Sequence, residues 1–225
     1  MKIQNLTYPK IQTLYGRDEN FKIVRGKLRL PEFNIPAAWD VTEKVDGTNI
    51  RVILKSDGTH EFNGRKENSE IPKALLAELR TLMPPGSVAV PFAPGTEAVI
   101  FGEGYGPKIQ KNGDRYRETV GFRIFDIAVR KFDEETGEID PWVWWLERDD
   151  MESIADILCL GVVPLLANHV TIEEAEALVH GKSLLAEANG MPDADMEGVV
   201  AKTSPGLMMR NGARLMWKLK VRDLE

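Results

Sequence analysis

The chain has 225 residues, 43% hydrophobic and 28% charged, a globular balance that excludes disordered, collagen-like and coiled-coil chains and, at roughly 150 residues per domain, leaves room for one large domain or one with a small satellite. The net charge of −6 is unevenly spread: residues 132–197 hold 17 acidic side chains and 2 basic ones, Arg148 and Lys182, so the remainder is net basic and able to present a phosphate-facing surface. No run of about 18 apolar residues exists, the start MKIQNLTYPK lacks an apolar signal core, and Cys159 is the only cysteine, so the expectation is a cytoplasmic, reducing compartment with no membrane partner and no Cys-rich metal site.

In chain order, Asn49–Leu54 alternates with Ile50, Val52 and Leu54 on one face, a strand. Asp57-Gly58 turns it into a hairpin with His60–Gly64. Ile71, Leu75, Leu79 and Leu82 recur at helical spacing over 71–83, and Pro84-Pro85 stops that helix. Residues 84–95 read as a proline-rich loop. Ala98–Phe101 is a strand running into GEGYG, and Phe122–Val129 is another. Residues 142–160 and 172–188 are predicted helical, the second opened by a Thr171/Glu174 capping box and closed by Asn189-Gly190. Residues 197–203 form a strand, and Asn211-Gly212 marks a hairpin between Leu207–Arg210 and Ala213–Val221. Hairpins dominate, which predicts α+β with antiparallel sheets flanked by helices. The three histidines, His60, His169 and His180, have no metal-ligand spacing.

Five short segments carry candidate chemistry. In EKVDGTN, Lys44 precedes a Gly turn at the entrance of a strand. An amine attacks only when deprotonated, and a free lysine keeps its proton to about pH 10.4, so a nucleophilic lysine needs desolvation or cationic neighbours. Most turn lysines are merely solvated. In FGEGYG, glycines on both sides of Glu103 suggest close approach of backbone or ligand. Phe125-Asp126 lies late in a strand, where an aromatic either stacks on a base or joins the core. EGVVAK puts Glu197 and Lys202 at the two ends of an apolar strand. WKLK sets Lys218 and Lys220 on one strand face, placed to grip phosphates or to blunt an edge strand.

In this order and spacing the segments resemble the covalent nucleotidyltransferase superfamily, which comprises ATP-dependent RNA and DNA ligases and mRNA capping enzymes. The match runs over the 177 residues from Lys44 to Lys220. Asn49, five residues after Lys44, and the phrase Tyr8-Pro9-Lys10-Ile11 with Arg17 are similar to the RNA ligase 2 subgroup. The resemblance implies an ATP-grasp-like nucleotidyltransferase fold and an ATP-dependent RNA ligase that joins 3′-hydroxyl and 5′-phosphate ends. Lys44 would attack the α-phosphate of ATP and hold AMP covalently. Glu43 would border adenine, Phe125 would stack on it, and Arg65 and Glu103 would contact the sugar, with Asn49 also on the nucleotide. Asp46 and Glu197 would hold Mg²⁺ or Mn²⁺ through water, while Lys202, Lys218 and Lys220 neutralise phosphates. Such a site suits a reaction that is mostly positioning and charge neutralisation.

Residues 1–225 are expected to form a single nucleotidyltransferase domain with no OB-fold and no C-terminal domain, since only Val221–Glu225 follow Lys220. RNA ends, possibly in a DNA-containing duplex, would then be held by the domain itself, with no obligate protein partner. Lys108, Lys111, Arg115 and Arg117 face one acid, Asp114, in the 106–117 segment and are the candidate RNA contacts. Trp142, Trp144 and Trp145 are expected to pack in a core or along a helix. The rival functions are DNA nick sealing, GTP-dependent capping and a non-catalytic nucleic-acid-binding homologue.

Overall fold

The computed structural model describes residues 6–66, 69–86, 88, 90–133, 135–136, 138–140 and 142–225. Its strands are β1 (Gln12–Thr13), β2 (Tyr15–Arg17), β3 (Ile23–Leu28), β4 (Trp39–Glu43), β5 (Thr48–Lys55), β6 (His60–Gly64), β7 (Thr96–Tyr105), β8 (Gly121–Lys131), β9 (Trp144–Trp145), β10 (Leu165–Val170), β11 (Gly198–Lys202) and β12 (Met216–Lys220). Its helices are α1 (Lys73–Leu82), α2 (Arg148–Ile157), α3 (Ile172–Ala177), α4 (Leu184–Ala188) and α5 (Val221–Leu224). Among the described residues no helix is long and apolar enough to cross a membrane. The chain divides into two compact units: residues up to Tyr8 with Asp46–Val162, and Pro9–Val45 with Val163–Glu225.

The unit around Asp46–Val162 is a sheet in the order β6-β5-β7-β8-β9. Ile50, Val52 and Leu54 fall on one face, as their alternation predicts, and pack with Ile100, Ile124 and Ile127 against Leu75 and Leu79 of α1 and Met151 and Ala155 of α2. Helix α1 ends at Met83 (φ −130°, ψ 75°), because the residue before a proline is driven out of the α region. The predicted helix over 142–160 is corrected: only Arg148–Ile157 is helical. Trp144 and Trp145 instead pair with Val129 and Ala128, which suits bulky aromatics on a pleated surface. Asp149 and Asp150 mark the true helix start, where acids complement the helix dipole.

The other unit is a sheet in the order β1-β12-β11-β4-β10, with the hairpin β2-β3 beside it. All its pairings are antiparallel except β1 with β12. Trp39, Val41, Val199, Ala201, Trp217 and Leu219 form its buried face. The predicted helix over 172–188 is broken. The Thr171/Glu174 capping box opens α3 as expected, but Gly181 turns extended and Ser183 caps a separate α4, accepting from Ala186 N at 3.0 Å. The Asn211-Gly212 turn is present, with Gly212 at φ +77°, yet its flanks meet only in the bridge Met208–Arg214.

Candidate active site

Strand pairing builds the lysine site within the unit formed by Pro9–Val45 and Val163–Glu225. Val199 pairs with Glu43 and Gly198 with Lys220, and Lys44 N donates to Gly198 O at 2.9 Å. The conformation of Gly198 (φ +153°) and its surroundings both require glycine: a Cβ there would overlap Leu219 O and stand 2.6 Å from Lys220 Cα. This close approach brings Glu197 between two lysines. Its Oε2 lies 2.5 Å from Lys44 Nζ, and its Oε1 accepts from Lys220 Nζ. Burial of Glu197 would raise its carboxyl pKa, but the Lys44 charge and the hydrogen bonds from Lys220 and Lys44 outweigh that and hold it below the ordinary range. Lys218 pairs with Val200 and Lys202 with Met216, so Lys202, Lys218 and Lys220 share the sheet face opposite the core.

Glu43, which the resemblance sets at the adenine edge, has its side chain inside the unit. Trp39, Val41 and Glu43 alternate onto the buried face of β4, and Glu43 is 2% exposed. Its carboxylate accepts from Ser183 Oγ at 2.5 Å and from Leu185 N at 3.0 Å. The side chain is thus an internal anchor for the start of α4. Ser183 carried no sequence signal as a partner; the alternation of Trp39, Val41 and Glu43 is the pattern that would have put Glu43 on the buried face.

In the unit around Asp46–Val162, Asn49, Glu103 and Arg123 stand in one row across β5, β7 and β8, on the face opposite the core. Asn49 Oδ1 is buried and has no hydrogen-bond partner among the described residues. Arg123 was not singled out by the motifs. Phe125 shares this face, half-buried, with Tyr8 edge-on at 4.8 Å, and Tyr8 donates to Asp126 Oδ2 at 2.7 Å. The glycines around Glu103 do not open room for a ligand: a Cβ on Gly102 would overlap the Phe122 ring, and one on Gly104 would overlap Leu75. They let the core pack. Arg65 is exposed just past β6.

Asp46 is fixed by the 106–117 segment. Its N–H donates to Tyr116 Oη at 3.0 Å, its carboxylate faces Arg115 at 3.5 Å, and Gln110 Nε2 donates to Gly47 O at 2.9 Å. Of the four basic residues expected to face RNA, Arg115 is therefore turned to Asp46 and lies over the Tyr116 ring. Lys108 and Lys111 line one open cavity with Asp114. Arg117 sits against Gly121. Trp145 stacks on Phe101 at 5.6 Å, as packing predicts, whereas Trp142 and Trp144 are 81% and 74% exposed. No group of three or more metal-ligating side chains occurs among the described residues.

A lysine amine is thus held by a carboxylate beside further lysines on the neighbouring strand face, an arrangement able to receive phosphate groups. Residues 37–220 match the RNA ligase family model, and the chain belongs to that family. No curated protein matches it. Solved structures of Naegleria gruberi RNA ligase share the fold. A lysine-to-alanine variant with ATP and Mn is 18% identical at a TM-score of 0.57, covering 96% of this chain and 62% of that one. The complex with PPi is 17% identical at 0.56, with the same coverages. A lysine-to-methionine variant with AMP and Mn is 18% identical at 0.57, covering 97% and 62%. The chain thus spans a little under two thirds of these ligases.

Proposed function

We propose that the protein is an ATP-dependent RNA ligase that works through a lysyl–AMP intermediate on Lys44. The observation that carries this is the Lys44–Glu197–Lys220 array, set in a chain of the RNA ligase family. Similar folds have been solved with ATP, AMP and PPi. Lys44 Nζ sheds a proton to water and bonds to the α-phosphorus of ATP as pyrophosphate leaves. AMP then passes to a 5′-phosphate end, and a 3′-hydroxyl attacks that end and releases AMP. Lys202, Lys218 and Lys220 offset the phosphate charge, which is where most of the catalysis of phosphoryl transfer lies. Phe125 would stack on the base, and Asn49 and Glu103 would hold the sugar.

A divalent cation, Mg²⁺ or Mn²⁺, would neutralise charge on the ATP phosphates. Both Glu197 oxygens already hold ammonium groups, so the residues fit an ion carried on phosphates and water rather than one caged by carboxylates. Glu197 and Asp46 would accept hydrogen bonds from its waters.

Lys108 and Lys111 would meet RNA phosphates. The test is joining of 5′-phosphorylated RNA in nicked duplexes and as single strands, with ATP, by the wild type and by Lys44→Ala. ATP-dependent sealing lost in the variant supports the reading. Sealing of DNA nicks alone would reassign the substrate.

A further inference from the structure

Residues 15–29 precede the stretch matched by the family model, 37–220, and none of the five motifs falls in them. They form the β2-β3 hairpin and hold five basic side chains, Arg17, Lys22, Arg25, Lys27 and Arg29, against two acidic ones, Asp18 and Glu19. The base of the hairpin is anchored in its unit. Tyr15 Oη donates to Glu176 Oε2 at 2.5 Å, Arg25 stands 3.4 Å from the same carboxylate, and Arg17 pairs with Asp223 at 2.7 Å. Asp223 lies in α5, which directly follows the strand bearing Lys218 and Lys220. Ile23 and Leu28 pack against the core of the unit, while residues 17–22 at the turn are exposed.

The turn is well tied and still strained. Phe21 N donates to Asp18 O at 3.1 Å and Asp18 N to Lys22 O at 2.8 Å, while Asp18 Oδ1 accepts from Asn20 N and Lys22 N. This is a three-residue hairpin loop, Glu19-Asn20-Phe21, whose last position takes the left-handed conformation and ordinarily carries glycine. This chain has phenylalanine there, at φ +62°. A bulky side chain in that conformation costs backbone strain, and the ring recovers nothing by burial, being 77% exposed. Lys22 adjoins it and Lys27 lies further along β3. Both are exposed, and neither has an ion-pair partner among the described residues.

We infer that the β2-β3 hairpin is an RNA-docking element, in which the Phe21 ring stacks on a base at a nick or strand end and Lys22 and Lys27 meet the flanking phosphates. The inference rests on the ligase reading and adds a contact outside its motifs. Charge selects the occupant. A cationic ribbon tipped by one aromatic complements a polyanion that also offers flat apolar faces, and stacking of this kind tolerates any base. A base inside a duplex has both faces covered, so the ring can stack only where a face is open, which is where strands are joined. The anchored hairpin base and the tied turn hold the ring out before RNA arrives, so little freedom is lost on binding. The strain at Phe21 is then the cost of aiming the ring at a ligand.

The test uses the full chain with Lys44→Ala as a shared background, so that binding is read without turnover. A nicked RNA duplex carrying 2-aminopurine at the nick is titrated over a salt series, and anisotropy and 2-aminopurine quenching are recorded. Two variants are compared: Phe21→Gly, which removes the ring and relieves the backbone, and Lys22→Ala with Lys27→Ala. Phe21→Gly is expected to weaken binding roughly fivefold or more and to abolish the quenching, with a Tm no lower than that of the background chain. The double lysine variant is expected to flatten the slope of log affinity against log salt by about 1–2 and to keep the quenching. Phe21→Gly with unchanged affinity and quenching overturns the inference, as does a lowered Tm with quenching kept, which would make the ring a support of the fold. An unchanged salt slope in the lysine variant overturns it too. Labelling of Lys44 from ATP, in hairpin variants that retain Lys44, is expected to stay at the wild-type level; a loss equal to the loss of RNA binding would move Phe21 to the nucleotide step and overturn the docking role. Hairpin variants that lose RNA binding in a protein whose wild type takes no label would sink the ligase reading and leave the docking element standing. Unaltered RNA binding in a protein that labels and joins would do the reverse.

Discussion

Lys44 Nζ stands 2.5 Å from Glu197 Oε2, and the opposite oxygen of that carboxylate holds Lys220. One anion thus spaces two ammonium groups that would otherwise repel, and it fixes where the Lys44 amine points. Glu197→Gln keeps the shape and removes the charge. It is expected to slow lysine adenylylation by about 10²–10³-fold, in the range for losing one preorganised electrostatic partner, with a smaller change in the KM for ATP. Single-turnover labelling measures both. Adenylylation at the wild-type rate would contradict the role given to Glu197.

The same carboxyl has a depressed pKa when folded. A depressed acid contributes stability above its unfolded value, ordinarily 4.5, and loses it as pH falls through the folded value. Acid unfolding below about pH 4.5 should therefore be less steep in Glu197→Gln than in the wild type, as read by circular dichroism.

Gly198→Ala places a Cβ into Leu219 O at φ +153°. Strain and overlap together are expected to cost about 2–4 kcal/mol, visible as a lower Tm. Because the strand must shift away from Lys220, lysine labelling should fall more than the loss of folded protein explains.

Glu43 distinguishes an anchoring side chain from a nucleotide contact. Glu43→Ala strands Ser183 Oγ and Leu185 N in a buried site, which is expected to cost about 2–4 kcal/mol. Denaturant melts measure it. A variant of normal stability with a raised KM for ATP would return Glu43 to the adenine edge.

Glu97 lies beside Arg130 in register. Burial pushes its carboxyl up to about 7, although Arg130 and Lys55 pull the other way. A raised acid binds more protons in the folded state than in the unfolded one, so stability falls as pH rises from about 5 through 7. The drop should be roughly 1–3 kcal/mol and should flatten in Glu97→Gln.

The sequence made the strand faces legible because alternation is local. Ile50, Val52 and Leu54 point to one core, and Lys218 and Lys220 share the opposite face from Trp217 and Leu219. The order of the five motifs carried the lysine array. Where local rules compete, long-range pairing decides the structure. The Trp142–Trp145 run looked helical, yet pairing with β8 took Trp144 and Trp145. The 172–188 segment broke at Gly181–Ser183 because Ser183 caps α4 and bonds Glu43 140 residues away. The hold of Tyr116 and Gln110 on the Asp46-Gly47 turn is equally non-local. Such contacts depend on the assembled sheets and leave no spacing to read.

The proposed lysyl–AMP on Lys44 is directly testable. Purified wild type and Lys44→Ala are incubated with α-labelled ATP or GTP and Mg²⁺, then denatured, and protein-bound label is counted. Acid-labile label from ATP on the wild type, absent in Lys44→Ala and absent with GTP, is the expected result. Label from GTP would point to capping chemistry, and a folded protein free of bound AMP that takes no label would contradict the covalent mechanism.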